Sequence, residues 1–288
     1  MLQGIKNNFA WLILFALLLG AIFVWLAIFG QTPNNNLVVK FLDVGQGSSA
    51  LILAPDGKQV LIDGGPGDAV LARLGEAMPL FDKKIELVIL THPDSDHISG
   101  LIEVLKRYEV EQILETGIVD STAEYKAWNE LIKQKNIPVV FAAAGQKIKI
   151  AQNLEFDILY PFGKINNQDF SDKTNASSIV AKLIYGQNSF LFTGDAEKET
   201  EWILDFSQIN LRSDVLVVGH HGSKNSTTAE FLAAVAPRLA VISVGEKNKY
   251  GHPAPEILER LQGLDILRTD LTGNIDFSCD LEKCQQVR

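Results

Sequence analysis

The stretch THPDSDHISG, residues 91–100, places two histidines and two aspartates within six consecutive positions. It directly follows the apolar run IELVIL, residues 85–90, which favours a buried strand. Charged groups at the end of a buried strand cost free energy unless they are compensated, and imidazole and carboxylate groups are ligands for divalent cations. The stretch therefore predicts a metal site built from His92, Asp94, Asp96 and His97.

The spacing within this stretch suggests two metal centres. His92 and Asp94 are two positions apart, so on an extended backbone both side chains point to one side. Asp96 and His97 follow where the chain turns into a helix, and they can serve a second centre. That helix is predicted by apolar residues at helical spacing: Ile98, Leu101, Ile102 and Leu105.

Further candidate ligands lie far along the chain. Besides the two histidines above, the chain has only the adjacent pair His220 and His221, and His252. A lone histidine is usually an ordinary residue, but two close pairs in strand-to-loop segments indicate metal binding. Asp195 ends the apolar run FLFTGD and can bridge two ions; its alternative role is to cap the next helix.

Strands and helices alternate along the rest of the chain. The turn PDGK, residues 55–58, lies between two apolar runs and predicts a hairpin. Two capping boxes predict helix starts, one at Ser121 with Glu124 and one at Thr227 with Glu230. Two strand-rich blocks, each followed by helices, predict an α/β domain of two packed sheets with helices outside.

Seven motifs in order give the chain a resemblance to the metallo-β-lactamase fold superfamily, and more narrowly to the soluble domain of ComEC-type competence proteins. The central one is the cluster H-x-D-x-D-H in place of the superfamily's usual H-x-H-x-D-H. The others are DVGQGSSALI (43–52), LIDGG (61–65), TNASS (174–178), LFTGDAE (191–197), GHHGSKNST (219–227) and NKYGHP (248–253). The resemblance implies a four-layer αβ/βα sandwich with a metal site at one sheet edge.

The same resemblance implies two divalent metal ions, manganese or zinc. One centre would use His92 and Asp94, the other Asp96 and His97, and Asp195 would bridge them. One of His220 and His221 would complete the second centre while the other meets substrate. The residues assigned to catalysis are Asp96, Asp195 and His221.

Two departures from the family pattern concern this site. Most members supply a third histidine to the first centre, but this chain has none from residue 98 to 219. Asn175, Ser177, Ser178 or water would substitute, which makes the first centre oxygen-rich and favours manganese over zinc. Ser48 stands where the family signature often has an aspartate, whose carboxylate could support the metal ligands without binding the ions.

The resemblance implies a hydrolase, and the leading hypothesis is a phosphodiesterase or nuclease that cleaves DNA with a hydroxide shared by two metals. Gly222 and the residues around it can form an anion cradle. The predicted substrate-binding residues are Asn175, Ser178, Ser223, Lys224, Ser226 and His252.

The acidic composition supports two alternatives. The net charge is −9, which excludes nucleic-acid binding through broad electrostatics. A small phosphoester of the nucleotide or phosphocholine type is the alternative substrate. The alternative outside catalysis is a binding subunit for DNA uptake. The oligomeric state stays open.

The N-terminal segment predicts a single membrane-spanning helix. Residues 9–29 carry no charge over 21 positions, enough for a helix that needs about 20 residues to cross a bilayer. A signal peptide has a shorter apolar region, so an uncleaved anchor is favoured. Lys6 before the span, with no charge after it until Lys40, favours a globular domain outside the cytoplasm. The predicted domains are an anchor at 1–30, a linker at 31–36 and the hydrolase domain at 37–288.

Two further expectations concern that location. A single span cannot form a DNA channel, so DNA uptake would require separate membrane partners. Cys279 and Cys284 can form a disulfide in an extracytoplasmic domain, or remain two thiols.

Overall fold

The computed structural model describes residues 2–29, 36–79, 81–170 and 173–287. The chain divides into two compact units, Met1–Asn35 and Asn36–Arg288. Of the linker predicted at residues 31–36, only Asn36 lies within the described residues.

The first unit contains one helix, α1 (Leu2–Phe29). Its described side chains, from Trp11 to Trp25, are exposed. Among the described residues, no helix combines the length and the apolarity that crossing a membrane requires. The anchor at residues 1–30 therefore stays a prediction.

The second unit contains the remaining elements. Up to residue 141 these are β1 (Leu37–Phe41), β2 (Ala50–Leu53), β3 (Gln59–Ile62), α2 (Ala69–Ala77), β4 (Lys84–Ile85), β5 (Leu87–Ile89), α3 (Ser95–Arg107), β6 (Glu109–Val110), β7 (Ile113–Glu115), α4 (Ala123–Lys135) and β8 (Val139–Phe141). From residue 147 they are β9 (Lys147–Ala151), β10 (Leu154–Tyr160), β11 (Val180–Tyr185), β12 (Asn188–Phe192), α5 (Lys198–Phe206), β13 (Val215–Val217), α6 (Ala229–Val235), β14 (Leu239–Ile242), α7 (Pro255–Arg260), β15 (Asp265–Arg268), α8 (Thr269–Thr272), β16 (Ile275–Cys279) and β17 (Cys284–Gln286).

Two large mixed sheets form the centre of this unit. The first has the strand order β17-β16-β1-β2-β3-β5-β7-β8, and the second has the order β15-β14-β13-β12-β11-β10-β9. In the first sheet, β3, β5, β7 and β8 run parallel to one another. In the second, the parallel strands are β12 to β15. The predicted α/β class is confirmed, and so is the hairpin of β2 and β3.

Three apolar cores show that the unit has four layers. The central core joins the two sheets, and Phe41 of the first sheet stacks against Phe192 of the second with ring centroids 6.0 Å apart. A second core covers the outer face of the first sheet with α2, α3 and α4, with Trp128 fully buried. A third covers the second sheet with α5, α6 and α7, around Phe231 and Ile257. Each helix is thus held by its apolar face.

The strand ends of both sheets bring the candidate ligands together. In the first sheet, β3 ends before Asp63 and β5 ends before His92. In the second, β12 ends before Asp195 and β13 ends before His220. Parallel strands end at a common edge, where α/β proteins usually bind ligands.

Close backbone packing fixes the start of α3 beside this edge. The Gly64 N–H donates to the carbonyl of His97 at 2.8 Å, and the Gly100 N–H donates to Gly65 at 2.9 Å. A Cβ atom on Gly100 would overlap the carbonyl oxygen of Gly64. Only glycine fits there, so the first turns of α3 pack directly against the backbone that follows β3.

Both predicted capping boxes are wrong by one residue. The N-cap of α4 is Thr122, not Ser121, and its hydroxyl accepts the Tyr125 N–H at 3.3 Å. The N-cap of α6 is Thr228, not Thr227. Thr227 instead has a left-handed backbone with φ 52°.

The two cysteines form a disulfide bond. Cys279 and Cys284 lie opposite each other in the pair of strands β16 and β17. This resolves the alternative of two thiols.

Candidate metal centre

Four histidine side chains are anchored in the same way at the sheet edge. In each, Nδ1 donates to a protein oxygen and leaves Nε2 directed into the site. The acceptors are Thr91 Oγ1 for His92 at 3.1 Å, Asp63 Oδ2 for His97 at 2.8 Å, Glu197 Oε1 for His220 at 3.0 Å and the Ser243 carbonyl for His221 at 2.9 Å. Hydrogen bonds of this kind fix the tautomer and ring orientation of metal-binding histidines.

Asp195 lies at the centre of these imidazoles. Its Oδ1 is 3.2 Å from His97 Nε2. Its Oδ2 is 3.9 Å from His92 Nε2, 3.8 Å from His220 Nε2 and 3.6 Å from His221 Nε2. One carboxylate thus touches ligand candidates from both sheets, as a residue that bridges two ions must.

The other two carboxylates lie at either side of this centre. Asp96 Oδ2 is 3.2 Å from His221 Nε2, and Asp94 Oδ2 is 3.7 Å from His92 Nε2. Asp94 is the N-cap residue of α3, yet its side chain makes no capping bond. Its carboxylate therefore remains available to a ligand.

Orphaned polar atoms show that this donor set fits divalent cations. His92 Nε2, His97 Nε2 and Asp195 Oδ1 are buried and have no hydrogen-bond partner among the described residues. Burying such atoms without partners is costly, and a bound cation would satisfy all of them. Two sets have ligand atoms within 4.8 Å of one another: His92, His97 and Asp195, and Asp96, His97 and His221.

The electrostatics of the site favour ionised carboxylates. Burial raises the pKa of Asp195, but His221, His97 and His92 outweigh burial and hold that pKa well below its usual range. Burial also raises the pKa of Asp96, and the hydrogen bond to His221 overcomes this and lowers it to about 2. Ionised carboxylates in a buried cluster require positive charge beside them.

The pKa values of the imidazoles are shifted in different directions. Burial lowers the pKa of His92, and the neighbouring His97 lowers it further. Burial also opposes a charge on His97, but Asp195 and Asp63 raise its pKa well above the usual value. The site therefore holds either a proton on such a histidine or a cation in its place.

Two residues that support the site are not among those predicted. Asp63, in the motif LIDGG, accepts bonds from the Thr91 N–H at 2.8 Å, the Thr91 hydroxyl at 2.7 Å and His97. Glu197 anchors His220. The signal that identifies Asp63 is that it ends an apolar strand, as Asp195 does.

The alternative role of Asp195 is wrong. The N-cap residue of α5 is Glu197, not Asp195. The Asp195 N–H is held by the Ser178 hydroxyl at 3.1 Å. This bond directs the Asp195 carboxylate into the site.

The predicted substrate-binding residues separate into two sets. Asn175 and His252 lie beside His220: Asn175 Nδ2 is 3.4 Å from His220 Nδ1, and the His252 and His220 rings are 5.8 Å apart. Asn175 Oδ1 and His252 Nδ1 are buried without a described partner. Lys224 is exposed.

The serines of the predicted set are buried. Ser178 holds Asp195, and the Ser226 hydroxyl donates to the Gly219 carbonyl at 2.7 Å. Ser223 is 5% exposed, and its hydroxyl accepts the Asn225 N–H at 3.3 Å. The geometry gives Ser178 and Ser226 supporting positions in which they do not face a substrate.

A groove of about 430 Å³ opens beside the centre and includes Asp94 and Asn175 in its wall. The carboxylates of Asp94, Glu197 and Glu199 outnumber the ammonium group of Lys173 among its lining residues. The groove therefore carries an acidic wall next to the ligands.

The fold and this donor set agree with the comparisons to known proteins. The chain belongs to the metallo-beta-lactamase superfamily, whose family model matches residues 42–246. The ComEC-like branch predicted from the motifs is confirmed by the relatives.

Two curated relatives are 33% identical to this chain. ComE operon protein 3 of Bacillus subtilis (strain 168) aligns over 261 residues, 83% of this chain and 32% of the relative. Recombination protein 2 of Haemophilus influenzae aligns over 270 residues, 91% of this chain and 31% of the relative. The chain thus spans about a third of the length of these relatives.

Solved structures support the fold. The metallo-beta-lactamase fold protein YhfI from Bacillus subtilis superimposes with a TM-score of 0.56 and 12% identity, covering 85% of this chain and all of YhfI. At that identity the likeness concerns the fold alone. Family and site together indicate that the chain binds divalent metal.

Proposed function

We propose that this chain is a membrane-anchored, two-metal phosphodiesterase that cleaves DNA. The observation that carries the proposal is the convergence of four anchored imidazoles on Asp195, with buried nitrogen and oxygen atoms that lack partners. The name of the relative Recombination protein 2 refers to a process that acts on DNA. Two divalent ions held at such a site lower the pKa of water and stabilise charge at phosphorus.

The protein's own residues would prepare this chemistry. Asp195 would serve both centres, and Asp96 with His221 would serve the second. Asp63 keeps the proton of His97 on Nδ1, so that Nε2 offers its lone pair to the site. These supports come from packed strand ends, so the donor geometry is set before substrate binds.

Substrate recognition is assigned to the wall beside His220. Asn175 Oδ1 and His252 Nδ1 are buried without a partner among the described residues. A protonated His252 Nδ1 can donate to a phosphate oxygen, whereas Asn175 Oδ1 can only accept, for example from a hydroxyl group of the substrate. Ser223 and Lys224 follow His220 and His221 in the chain, and the exposed Lys224 adds positive charge for a phosphate.

A small phosphoester, of the nucleotide or phosphocholine type, is the second candidate substrate. It is favoured by the acidic groove wall of Asp94, Glu197 and Glu199, since such a wall repels a long polyanion. The net charge of −9 acts in the same direction. A short substrate would contact the metal centre and avoid most of this wall.

The test is hydrolysis by the purified full chain with measured metal content. Single-stranded DNA and a panel of small phosphoesters are incubated with Mn²⁺ or Zn²⁺, and Asp96→Ala serves as the inactive variant. Asp276→Asn is the matched control, because Asp276 is paired with Lys40 away from the site. Cleavage of DNA by the parent and by Asp276→Asn, but not by Asp96→Ala, supports the nuclease proposal.

The other outcomes are equally informative. Cleavage of small phosphoesters without DNA cleavage selects the second candidate. No hydrolysis above Asp96→Ala, by a chain that carries two ions, rejects both and favours a non-catalytic binding subunit for DNA uptake.

The proposal includes a single-pass anchor with the domain outside the cytoplasm. The uncharged residues 9–29 support the anchor, and the Cys279–Cys284 disulfide supports an oxidising compartment. Separate membrane partners would then form any DNA channel. Carbonate extraction of membranes, followed by protease digestion of intact spheroplasts, tests both points: release by carbonate or protection from protease contradicts them.

A further inference from the structure

Both members of the adjacent pair His220 and His221 approach the carboxylate of Asp195. His221 Nε2 is 3.6 Å from Asp195 Oδ2, and His220 Nε2 is 3.8 Å from the same oxygen. Their ring planes differ by 70° and their centroids are 6.2 Å apart. The two imidazoles therefore approach one carboxylate from different directions.

We propose that His220 is a ligand of the first metal centre, together with His92, Asp94 and Asp195, and that Glu197 positions it. The inference rests on the two-metal site of the proposed function and adds to it. It assigns both histidines of the pair as ligands, one to each centre.

Asp195 Oδ2 links His220 to His92, although the set of ligand atoms within 4.8 Å of one another groups His92 with His97 and Asp195. His92 Nε2 and His220 Nε2 are 3.9 and 3.8 Å from Asp195 Oδ2. Two ligands of one ion are about 3–4 Å apart, because each lies about 2.1 Å from the metal. His220 therefore stands at ligand distance from the oxygen that also faces His92.

Glu197 gives His220 the orientation of a metal ligand. Its Oε1 accepts the proton of His220 Nδ1 at 3.0 Å, so the lone pair is on Nε2. Asp63 does the same for His97 at 2.8 Å. A carboxylate that holds the far nitrogen of an imidazole is the usual support of a metal-binding histidine.

The backbone of the pair is consistent with two directed side chains. His220 and His221 have consecutive left-handed conformations with φ 50° and 53°. Each such residue costs on the order of 1 kcal/mol, and strain of this kind is typical of functional sites. Two ligand bonds would account for strain at both positions.

The assignment changes the expected ligand composition of the two centres. The first centre would have His92, His220, Asp94 and Asp195, and the second would have His97, His221, Asp96 and Asp195. Each then has two imidazoles and two carboxylates, whereas the sequence predicts an oxygen-rich first centre. We expect two ions to bind with similar affinity.

The test is calorimetric titration of Mn²⁺ and Zn²⁺ into the metal-free full chain, with the bound metal counted by mass spectrometry. The parent should bind two ions. His220→Ala should bind one, and Glu197→Ala should weaken one of the two by about 10–100-fold. Glu197→Gln, which can still accept the Nδ1 proton, should lose less.

A control and a second readout separate positioning from general damage. Glu230→Ala removes an exposed carboxylate from the first turn of a helix and should leave both affinities unchanged. Circular dichroism shows whether each variant folds. Electron paramagnetic resonance of the Mn²⁺-loaded parent should show a coupled pair, and the His220→Ala spectrum should show isolated ions.

The outcomes distinguish this inference from the proposed function. Two ions at parental affinity in folded His220→Ala would overturn the assignment, and so would a parent that binds fewer than two. Loss of one ion in His220→Ala supports it, even where the parent hydrolyses no phosphodiester and the proposed function fails.

Discussion

The Asp63→Asn variant tests whether a buried carboxylate controls the second centre through the tautomer of His97. Asp63 is 1% exposed and accepts three hydrogen bonds, two from Thr91 and one from His97 Nδ1. Asparagine has the same shape and tolerates the left-handed backbone at φ 55°. The substitution therefore changes the pattern of donors with little change in packing.

The structure gives the direction of the effect. The asparagine oxygen can still accept the Thr91 N–H, but its amide N–H₂ then faces His97 Nδ1 and the Thr91 hydroxyl, which both bond to Asp63 Oδ2 in the parent. Two donors cannot bond, so the His97 proton moves to Nε2, which is 3.2 Å from Asp195 Oδ1. A protonated Nε2 cannot bind a metal, but it can donate to Asp195.

The magnitude follows from these two changes. We expect the affinity of the second centre to fall 10–100-fold, which corresponds to about 1.4–2.7 kcal/mol. The metal-free variant should lose about 1–3 kcal/mol of unfolding free energy, because two hydrogen bonds to Asp63 Oδ2, from the Thr91 hydroxyl and from His97 Nδ1, are disturbed and the new bond to Asp195 replaces only one of them.

The assay measures both quantities on the full chain. Calorimetric titration of Zn²⁺ gives the affinities, and urea unfolding of the metal-free protein gives the stability. Asp276→Asn, which breaks the ion pair with Lys40, is the control for a charge lost elsewhere. Parental metal affinity in Asp63→Asn would refute the role of the tautomer.

Three further predictions concern stability, each measured by urea unfolding of the full chain. Gly100→Ala should lower the unfolding free energy by about 2–3 kcal/mol, because its Cβ overlaps backbone that cannot move aside. A loss below about 0.5 kcal/mol, the size of an ordinary surface substitution, would contradict that packing. Reduction of Cys279–Cys284 should cost about 2 kcal/mol, the loop entropy for a sequence separation of 5, and an unchanged midpoint would contradict it. Burial raises the pKa of Glu115, so the folded state holds its proton more tightly and stability falls as pH rises from the unfolded value, about 4.3, through the folded one. Glu115→Gln should therefore gain stability relative to the parent across that window, and a difference independent of pH would contradict it.

The first-sheet ligands were predictable because they are local. Residues 92–97 join one strand directly to one helix, and α3 begins at Ser95, inside the cluster as predicted. The partner of His97 was not predictable, since Asp63 is 34 residues away and only the tertiary fold brings it close. The apolar pattern of the sequence predicts where the strand ends, but it does not predict that the carboxylate of Asp63 contacts the imidazole of His97.

The error at the start of α6 has a tertiary cause. The N–H groups of Thr227 and Thr228 both bond to the buried carboxylate of Glu201. This contact holds Thr227 outside the helix, so the cap moves to Thr228. A capping box describes local preference, and a distant side chain can override it.

Residue type also predicted the serines incompletely. Ser178 and Ser226 have the hydroxyl groups expected of a phosphate site, but those groups bond to Asp195 and Gly219. Sequence gives the kind of donor, whereas the direction of a side chain depends on the packed backbone around it. The same limit left His220 and His221 unresolved.

The origin of the ligands has a consequence for folding. His92 follows β5 of the first sheet and His97 lies in α3, which packs on that sheet, whereas His220 and His221 follow β13 of the second sheet. Ions bound between them would therefore act as cross-links from one half of the sandwich to the other. Occupancy then contributes to cohesion between the halves, and each ion adds stability in proportion to the logarithm of its free concentration. Thermal denaturation in the presence of a chelator should begin with separation of the halves at this edge, while the helices on the outer faces remain packed.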